Sequence, residues 1–317
     1  MKIKLTVAAL IALTTLVYFG WDSQQNDIDE SQFVLSGGTA AAARVAPAGT
    51  TNSAAPSTHT AAPLPVHTPY DAFTYIPTKA AAAQPLQVVI ALHGMGGAGK
   101  DFAAPLVQEA ERNGWLLVAP TFAYGDWHNP DAVAAEDVEM AQRLVATINA
   151  LPERTHLQLK PHVDLIGFSR GAQLAHRFAL FFPEDVDRVV AFSAGTYTMP
   201  YRTKDIDGDG RPDMLALPYG SADFNKRLGH PINPLRLKQV RFLIGVGSAD
   251  NSAGDVPHQW DVYEGKTRLE RALEFVDALR SQGVRCSLQV FPGVGHEVTR
   301  AMLNQAVQFL AGDTALN

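Results

Sequence analysis

Apolar residues fall along the chain in two rhythms that take turns. Unbroken runs at Gln87 to Leu92, Trp115 to Ala119, His162 to Phe168, Val189 to Phe192, Val240 to Val246 and Cys286 to Phe291 read as strands buried on both faces. Between them, Val133, Val138, Ala141, Leu144, Val145 and Ile148 recur at helical spacing, and so do Leu269, Leu273, Val276 and Leu279. Strands that alternate with amphipathic helices predict an α/β fold over residues 66–317, with a mostly parallel central sheet covered by helices on both faces. Open sheets of this kind collect their ligands at the carboxyl ends of the strands, so chemistry is sought there.

The first 65 residues carry a different pattern. Lys2 and Lys4 precede an uncharged apolar stretch from Leu5 to Phe19, a basic n-region followed by an h-region, so residues 1–20 read as a signal peptide or an uncleaved signal-anchor. Fifteen helical residues span about 22 Å, short of a hydrocarbon core of about 30 Å, which favours the signal peptide. Tyr18, Phe19, Gly20 and Trp21 lack the small residues of a cleavage site, which favours the anchor. Of the 25 residues from Thr39 to Pro63, 20 are Ala, Thr, Pro or Ser, too little apolar area to offset the entropy of ordering them. Residues 21–65 are therefore expected to be a low-complexity, disordered linker, and the protein to be exported, either secreted or periplasmic, or held at a membrane with the domain outside the cytoplasm.

Charge and cysteine content narrow the function. With 26 basic against 32 acidic side chains, the formal net charge of -6 gives no cationic face for a phosphate backbone, and nucleic acid is not an expected partner. Cys286 is the single cysteine, which excludes an internal disulfide and a zinc site built from cysteines.

Within the domain, Gly167-Phe168-Ser169-Arg170-Gly171 is a GxSxG motif set after an apolar run and before Leu174, Phe178 and Phe181 at helical spacing. A strand, a sharp turn and a helix in that order hold a serine oxygen above the sheet, at a helix N-terminus that favours a developing anion. Small residues in His93-Gly94-Met95-Gly96-Gly97, after the Gln87 to Leu92 run, let the backbone approach a ligand closely. The amides of Met95 and Arg170 would supply an oxyanion hole. Lys100 gives this stretch a superficial likeness to a phosphate loop, but Asp101 stands where that loop needs Ser or Thr.

A serine hydroxyl needs a base, and the base needs a third group to fix its tautomer. His296, in Gly293-Val294-Gly295-His296-Glu297, follows the last strand, and Asp250 follows Gly245-Val246-Gly247-Ser248-Ala249 after the strand before it. Asp255 is the alternative acid, because its loop is long enough to bring either carboxylate to the histidine. Tyr124, Asp126, Trp127 and His128 also fall at the strand ends, and Tyr124, Trp127 and His128 are expected to line the substrate pocket. Trp115 reads as core, and Ser193, which ends a strand without the GxSxG turn, as structural.

HGMGG, GFSRG, GSAD and GVGHE, in that order over residues 70–311, resemble the α/β-hydrolase superfamily, and the short LHG motif and compact layout are similar to its polyhydroxybutyrate-depolymerase, feruloyl-esterase and small-carboxylesterase branch. The resemblance implies Ser169 as nucleophile, Asp250 as acid, His296 as base, and the Met95 and Arg170 amides as oxyanion donors. It also implies a serine esterase that cleaves a small or polymeric carboxylic ester and needs no cofactor for catalysis. A peptidase or amidase would use the same triad, and a noncatalytic binding module could keep the same fold.

One motif lies outside that scheme. Asp205, Asp207, Asp209 and Asp213 occupy positions one, three, five and nine of a calcium-type loop, Gly210 takes the sixth and the Arg211 backbone the seventh. Ala216 stands at position twelve, where the bidentate glutamate of an EF-hand would be. Structural calcium or a solvated Asp-Gly turn both fit. The loop belongs to a lid-like insertion, residues 196–238, between two strands.

Overall fold

The computed structural model describes residues 67–78 and 84–312. The leader and linker at 1–65 lie outside the described residues. Among the described residues no helix is long and apolar enough to cross a membrane.

In chain order the strands are β1 (Ala72–Tyr75), β2 (Gln87–Leu92), β3 (Trp115–Pro120), β4 (Val163–Phe168), β5 (Val186–Phe192), β6 (Thr203–Lys204), β7 (Asp213–Met214), β8 (Arg241–Gly247) and β9 (Arg285–Phe291). The α-helices are α1 (Gly99–Ala103), α2 (Val107–Asn113), α3 (Pro130–Thr155), α4 (Arg170–Phe181), α5 (Phe224–Leu228), α6 (Pro234–Leu237), α7 (Asp261–Glu264), α8 (Arg268–Ser281) and α9 (Arg300–Ala311). Seven strands form one sheet in the order β1-β3-β2-β4-β5-β8-β9, with β6 and β7 in a separate two-stranded ladder. All neighbours in the large sheet are parallel except β1, which runs antiparallel along β3 from Ala72 opposite Pro120 to Tyr75 opposite Leu117.

The six apolar runs all become strands. β1 is the addition: it is four residues long on a sheet edge, with Ala72, Phe73 and Tyr75 half-buried and Thr74 exposed, too short to stand out as an apolar run. The six β2 residues are buried throughout, as are those of β3, because helices cover both sheet faces. One layer of core gathers Leu144, Phe178, Phe181, Phe242 and Phe275, and the other Val89, Leu117, Ile166, Met302 and Phe309. α8 turns its inner face differently from the expected spacing: Ala272, Phe275, Val276 and Leu279 are buried while Leu273 is exposed.

The insertion between β5 and β8 is anchored in this core. Tyr197 stacks on Phe275 with centroids 4.5 Å apart, and Phe224 meets Phe181 edge-on at 5.0 Å. Its acidic loop is the connection between β6 and β7.

Candidate active site

β4 ends in a turn that no ordinary residue pair could make. Ser169 adopts φ 53° and ψ -118°, and α4 starts immediately after it. The turn is tight enough that a Cβ on Gly171 would lie 2.0 Å from the Leu92 carbonyl oxygen, and one on Gly167 would lie 2.4 Å from the Gly171 carbonyl oxygen. Gly171 is thus a steric requirement of pressing the elbow against the end of β2, and Gly167 of folding the first turn of α4 back onto β4. The strained serine conformation keeps the hydroxyl clear of its own backbone.

Three side chains from separate loops meet at this turn. His296 Nε2 lies 3.0 Å from Ser169 Oγ, and His296 Nδ1 lies 2.9 Å from Asp250 Oδ2. Asp250 is buried, while the serine and histidine border solvent. With Nδ1–H donating to the carboxylate, Nε2 is left as the acceptor of the serine proton. The loops carrying acid and base are stitched together by Ala249 N–H donating to the Val294 carbonyl at 2.9 Å, Ser248 N–H to the Phe291 carbonyl at 2.9 Å, and Gly293 N–H to Ser248 Oγ at 2.8 Å. Phe168 packs against the His296 ring at 4.8 Å.

Asp250, rather than Asp255, is the carboxylate that reaches the histidine. Asp255 is exposed at the cavity rim. Sequence patterning missed Arg268, which donates from Nη1 to Asp250 Oδ1 at 3.0 Å and from Nη2 to the Asp255 carbonyl at 2.8 Å. Burial works to raise the Asp250 carboxyl, but the His296 hydrogen bond and the Arg268 charge outweigh it and hold the group below the usual carboxylate range. Arg268 opens α8 behind a Thr267–Glu270 capping box. Only the fold reveals the role of such a charged residue, because nothing in the sequence ties it to Asp250.

The expected oxyanion donors, Met95 and Arg170, line one cavity with Ser169 and His296. Among the described residues neither the Met95 nor the Arg170 backbone N–H has an acceptor, as an anion-receiving pair requires. The Arg170 side chain turns inward, and its Nη2 lies 2.6 Å from both Glu136 Oε2 and Asp137 Oδ1 on α3. Asp137 also holds Arg177 at 2.6 Å, so α3 and α4 are tied together around the residue after Ser169. On the other side, His93 accepts the Phe122 N–H at Nε2 (2.9 Å), leaving Nδ1–H for the Gly94 carbonyl (2.7 Å). Burial holds the His93 imidazole below its ordinary range, which keeps that neutral bridge intact.

The cavity is small, about 190 Å³. Trp127 lines it; Tyr124 and His128 do not. The Tyr124 hydroxyl donates to the His93 carbonyl at 3.1 Å and its ring lies 5.0 Å from the Arg170 guanidinium, so it supports the oxyanion loop from behind. His128 stands exposed beside Asp126, its Nδ1 3.4 Å from Asp126 Oδ1. Ser193, the other strand-end serine, is buried with φ 51°.

In the acidic loop, Asp205, Asp207 and Asp209 bring carboxylate oxygens within 4.8 Å of one another, all exposed. The same carboxylates accept the loop's own N–H groups: Asp205 from Gly208 (2.8 Å) and Gly210 (2.9 Å), Asp207 from Asp209 (3.1 Å), and Asp209 from Arg211 (2.7 Å). Asp213 accepts from Ile206 at 3.3 Å.

No protein-family profile matches the chain, and no curated protein matches it in sequence. Solved structures do match its shape. Poly(aspartic acid) hydrolase-1 from Sphingomonas sp. KT-1 superposes with a TM-score of 0.53 at 19% identity, over 78% of this chain and 99% of its own. Esterase PE8 gives 0.50 at 19%, over 77% and 99%, and TT1662 from Thermus thermophilus gives 0.50 at 23%, over 77% and 93%. The mostly parallel seven-stranded sheet with its strand-turn-helix elbow is the α/β-hydrolase fold.

Proposed function

We propose that this chain is a serine hydrolase that cleaves carboxylic esters through an acyl-enzyme. The observation that carries the reading is the continuous relay from Asp250 through His296 to Ser169, at 2.9 and 3.0 Å, beside two backbone amides without acceptors. In the first half-reaction Ser169 Oγ attacks the ester carbon while His296 Nε2 takes its proton. The carbonyl oxygen becomes an oxyanion facing the Met95 and Arg170 amides. Collapse of the tetrahedral species breaks the ester C–O bond, and the histidine returns the proton to the departing alcohol. Water then repeats the sequence on the acyl-serine, with His296 again the base, and releases the acid. Asp250 stays ionised throughout and stabilises the imidazolium that forms twice per turnover.

The basic n-region and apolar stretch support export, with the hydrolase outside the cytoplasm and either free or tethered by residues 21–65. The acidic loop is proposed as a structural calcium site, remote from the chemistry because none of its residues lines the cavity.

A fluorophosphonate probe tests the reading directly. Wild-type protein should be labelled and should turn over p-nitrophenyl acetate. Ser169→Ala should lose the label and at least about 10³-fold in kcat. Labelling that survives in Ser169→Ala would sink the assignment, and faster turnover of aminopeptide substrates than of esters would move it to a peptidase.

A further inference from the structure

Resting on the ester-hydrolase reading, one further side chain in the cavity wall has the chemistry of a substrate-selecting group. Gln173 lies one turn along α4 from the nucleophile, its backbone N–H bonded to the Ser169 carbonyl at 3.1 Å. Four residues of helix place it about 6 Å from Ser169 along the axis. It is 6% exposed and lines the same cavity as Ser169, Met95 and His296.

The amide of Gln173 is oriented by groups that leave no choice of face. Arg177 Nη2 donates to Thr196 Oγ1 at 2.7 Å, and that hydroxyl therefore donates onward to Gln173 Oε1 at 3.1 Å. Arg177 Nη1 reaches the same oxygen at 3.4 Å. A guanidinium has no acceptor, so the atom turned to Arg177 is the oxygen and the opposite atom is the NH2. Among the described residues Nε2 has no acceptor. It borders Gly195, another cavity residue, where a Cβ would come within 3.0 Å of it. Nε2 is not sealed off by protein: it opens on the cavity, where a ligand oxygen can replace the water that otherwise accepts from it.

We propose that Gln173 Nε2 selects esters that carry a second, uncharged hydrogen-bond-accepting oxygen about one helical turn from the scissile carbonyl. The choice of an uncharged acceptor follows from the charges around the cavity. Arg268 is committed to Asp250 and to the Asp255 carbonyl, so a substrate carboxylate could gain that cation only by taking it from the triad acid. Arg170 is held by Glu136 and Asp137, and the Asp255 carboxylate stands at the rim, where it repels an anion. An ether, keto or hydroxyl oxygen accepts a hydrogen bond from the Gln173 Nε2–H without disturbing either pair.

Matched esters test this, with one arm for each side of the ester bond. On the acyl side, p-nitrophenyl 3-methoxypropanoate is compared with p-nitrophenyl pentanoate; on the alcohol side, 2-methoxyethyl acetate is compared with butyl acetate. In each pair an oxygen replaces a methylene, and each kcat/KM ratio is divided by the corresponding ratio for hydroxide hydrolysis to remove inductive activation. Wild-type protein should favour the oxygen-bearing ester by about tenfold in one arm, the worth of one hydrogen bond, and that arm identifies which side of the substrate Gln173 touches.

Gln173→Glu keeps an oxygen for Thr196 and Arg177 but replaces the donor with an acceptor, so the ratio should fall to one or below. Gln173→Met should give a ratio near one. Each ratio is taken within one enzyme, so a general loss of activity cancels. A wild-type ratio near one in both arms overturns the proposal, as does a ratio that both variants preserve. No turnover of any of the four esters by wild-type protein overturns the ester reading itself and the selection with it.

Discussion

The triad rim and the β6–β7 loop are both clusters of polar side chains announced by short motifs, yet they are held in opposite ways. At the rim, Ser169, Asp250 and His296 come from three strand ends and satisfy one another across 46 and 127 residues of sequence. In the loop, Asp205, Asp207 and Asp209 come from five consecutive residues and satisfy their own backbone N–H groups two, three or five positions on. The rim exists only when the sheet exists, and its acid is buried; the loop closes locally and stays in water. Polar groups brought together by the whole fold can be arranged in ways that local turns cannot, because only the fold can hold a buried carboxylate against an imidazole and a guanidinium at once.

Removing the guanidinium should break that contrast most severely. Arg268→Met leaves Asp250 Oδ1 without its donor and frees the Asp255 carbonyl, so both ends of the acid loop lose an anchor. We expect kcat to fall by roughly 10- to 100-fold with little change in KM, the usual cost of losing a group that orients a catalytic one. The acid limb of the kcat profile should move to higher pH, because Asp250 loses a charge that keeps it ionised. Arg268→Lys should restore the limb more than the rate, since an ammonium supplies the charge without the fork that spans both oxygens. Full kcat in Arg268→Met would show that the triad acid is positioned by His296 and its own loop alone.

A smaller effect is expected beneath the rim. Glu264 is buried, accepts the Tyr197 N–H at 2.9 and 3.1 Å, and has Arg271 Nε 3.9 Å away. Burial dominates, and raises its carboxyl from 4.5 to about 8 despite the opposing arginine. Between those two values the folded chain holds a proton that the unfolded chain has released, so stability falls as pH rises through that window and levels off above it. Glu264→Gln is uncharged in both states and lacks this slope. Its Tm should gain on wild type, by about 10 °C between pH 5 and pH 9. Parallel Tm curves for the two proteins would mean that Glu264 stays ionised, held by Arg271 as a buried ion pair. Arg271 also donates to the Gly195 and Pro257 carbonyls, two residues of the cavity wall, so this buried charge belongs to the foundation of the site.

Legibility followed physical locality in the same way. The five inner strands and the elbow were readable because burial on both faces writes nearly continuous apolar runs, and because GxSxG encodes its own steric demand; β9, expected to be buried on both faces, is a largely half-buried edge strand. β1 was not, since an edge strand of four residues, three half-buried and one exposed, is too short to write a pattern of its own. Leu273 shared the helical spacing of its neighbours but faces solvent, because α8 turns Phe275 and Val276 to the sheet and commits Arg268 and Arg271 to loops that the sequence does not reveal. Asp250 and Asp255 could not be told apart from spacing, because the deciding contact lies with a histidine 46 residues further on. Gln173, Arg268 and the supporting place of Tyr124 were illegible for the same reason: each depends on what the third dimension sets beside it.

The acidic loop gives the smallest predicted effect and the sharpest test of the contrast. Three exposed carboxylates within 4.8 Å of one another set up a like-charge repulsion beside the N–H groups that each accepts. A calcium ion would remove it, and without a twelfth-position glutamate the affinity belongs to the millimolar range of extracellular modules. At 5 mM calcium and a Kd of about 1 mM, linkage gives roughly 1 kcal/mol, a rise in Tm of about 2–4 °C for a domain of this size. Asp207→Asn should abolish the rise. Ester turnover should not respond to calcium or chelator in either protein, since no loop residue reaches the cavity. A Tm indifferent to calcium would leave a turn closed by its own N–H groups. A calcium-dependent kcat would instead mean that strain in the β6–β7 ladder reaches the rim, through an insertion whose Tyr197 and Phe224 are packed into the core that carries the triad.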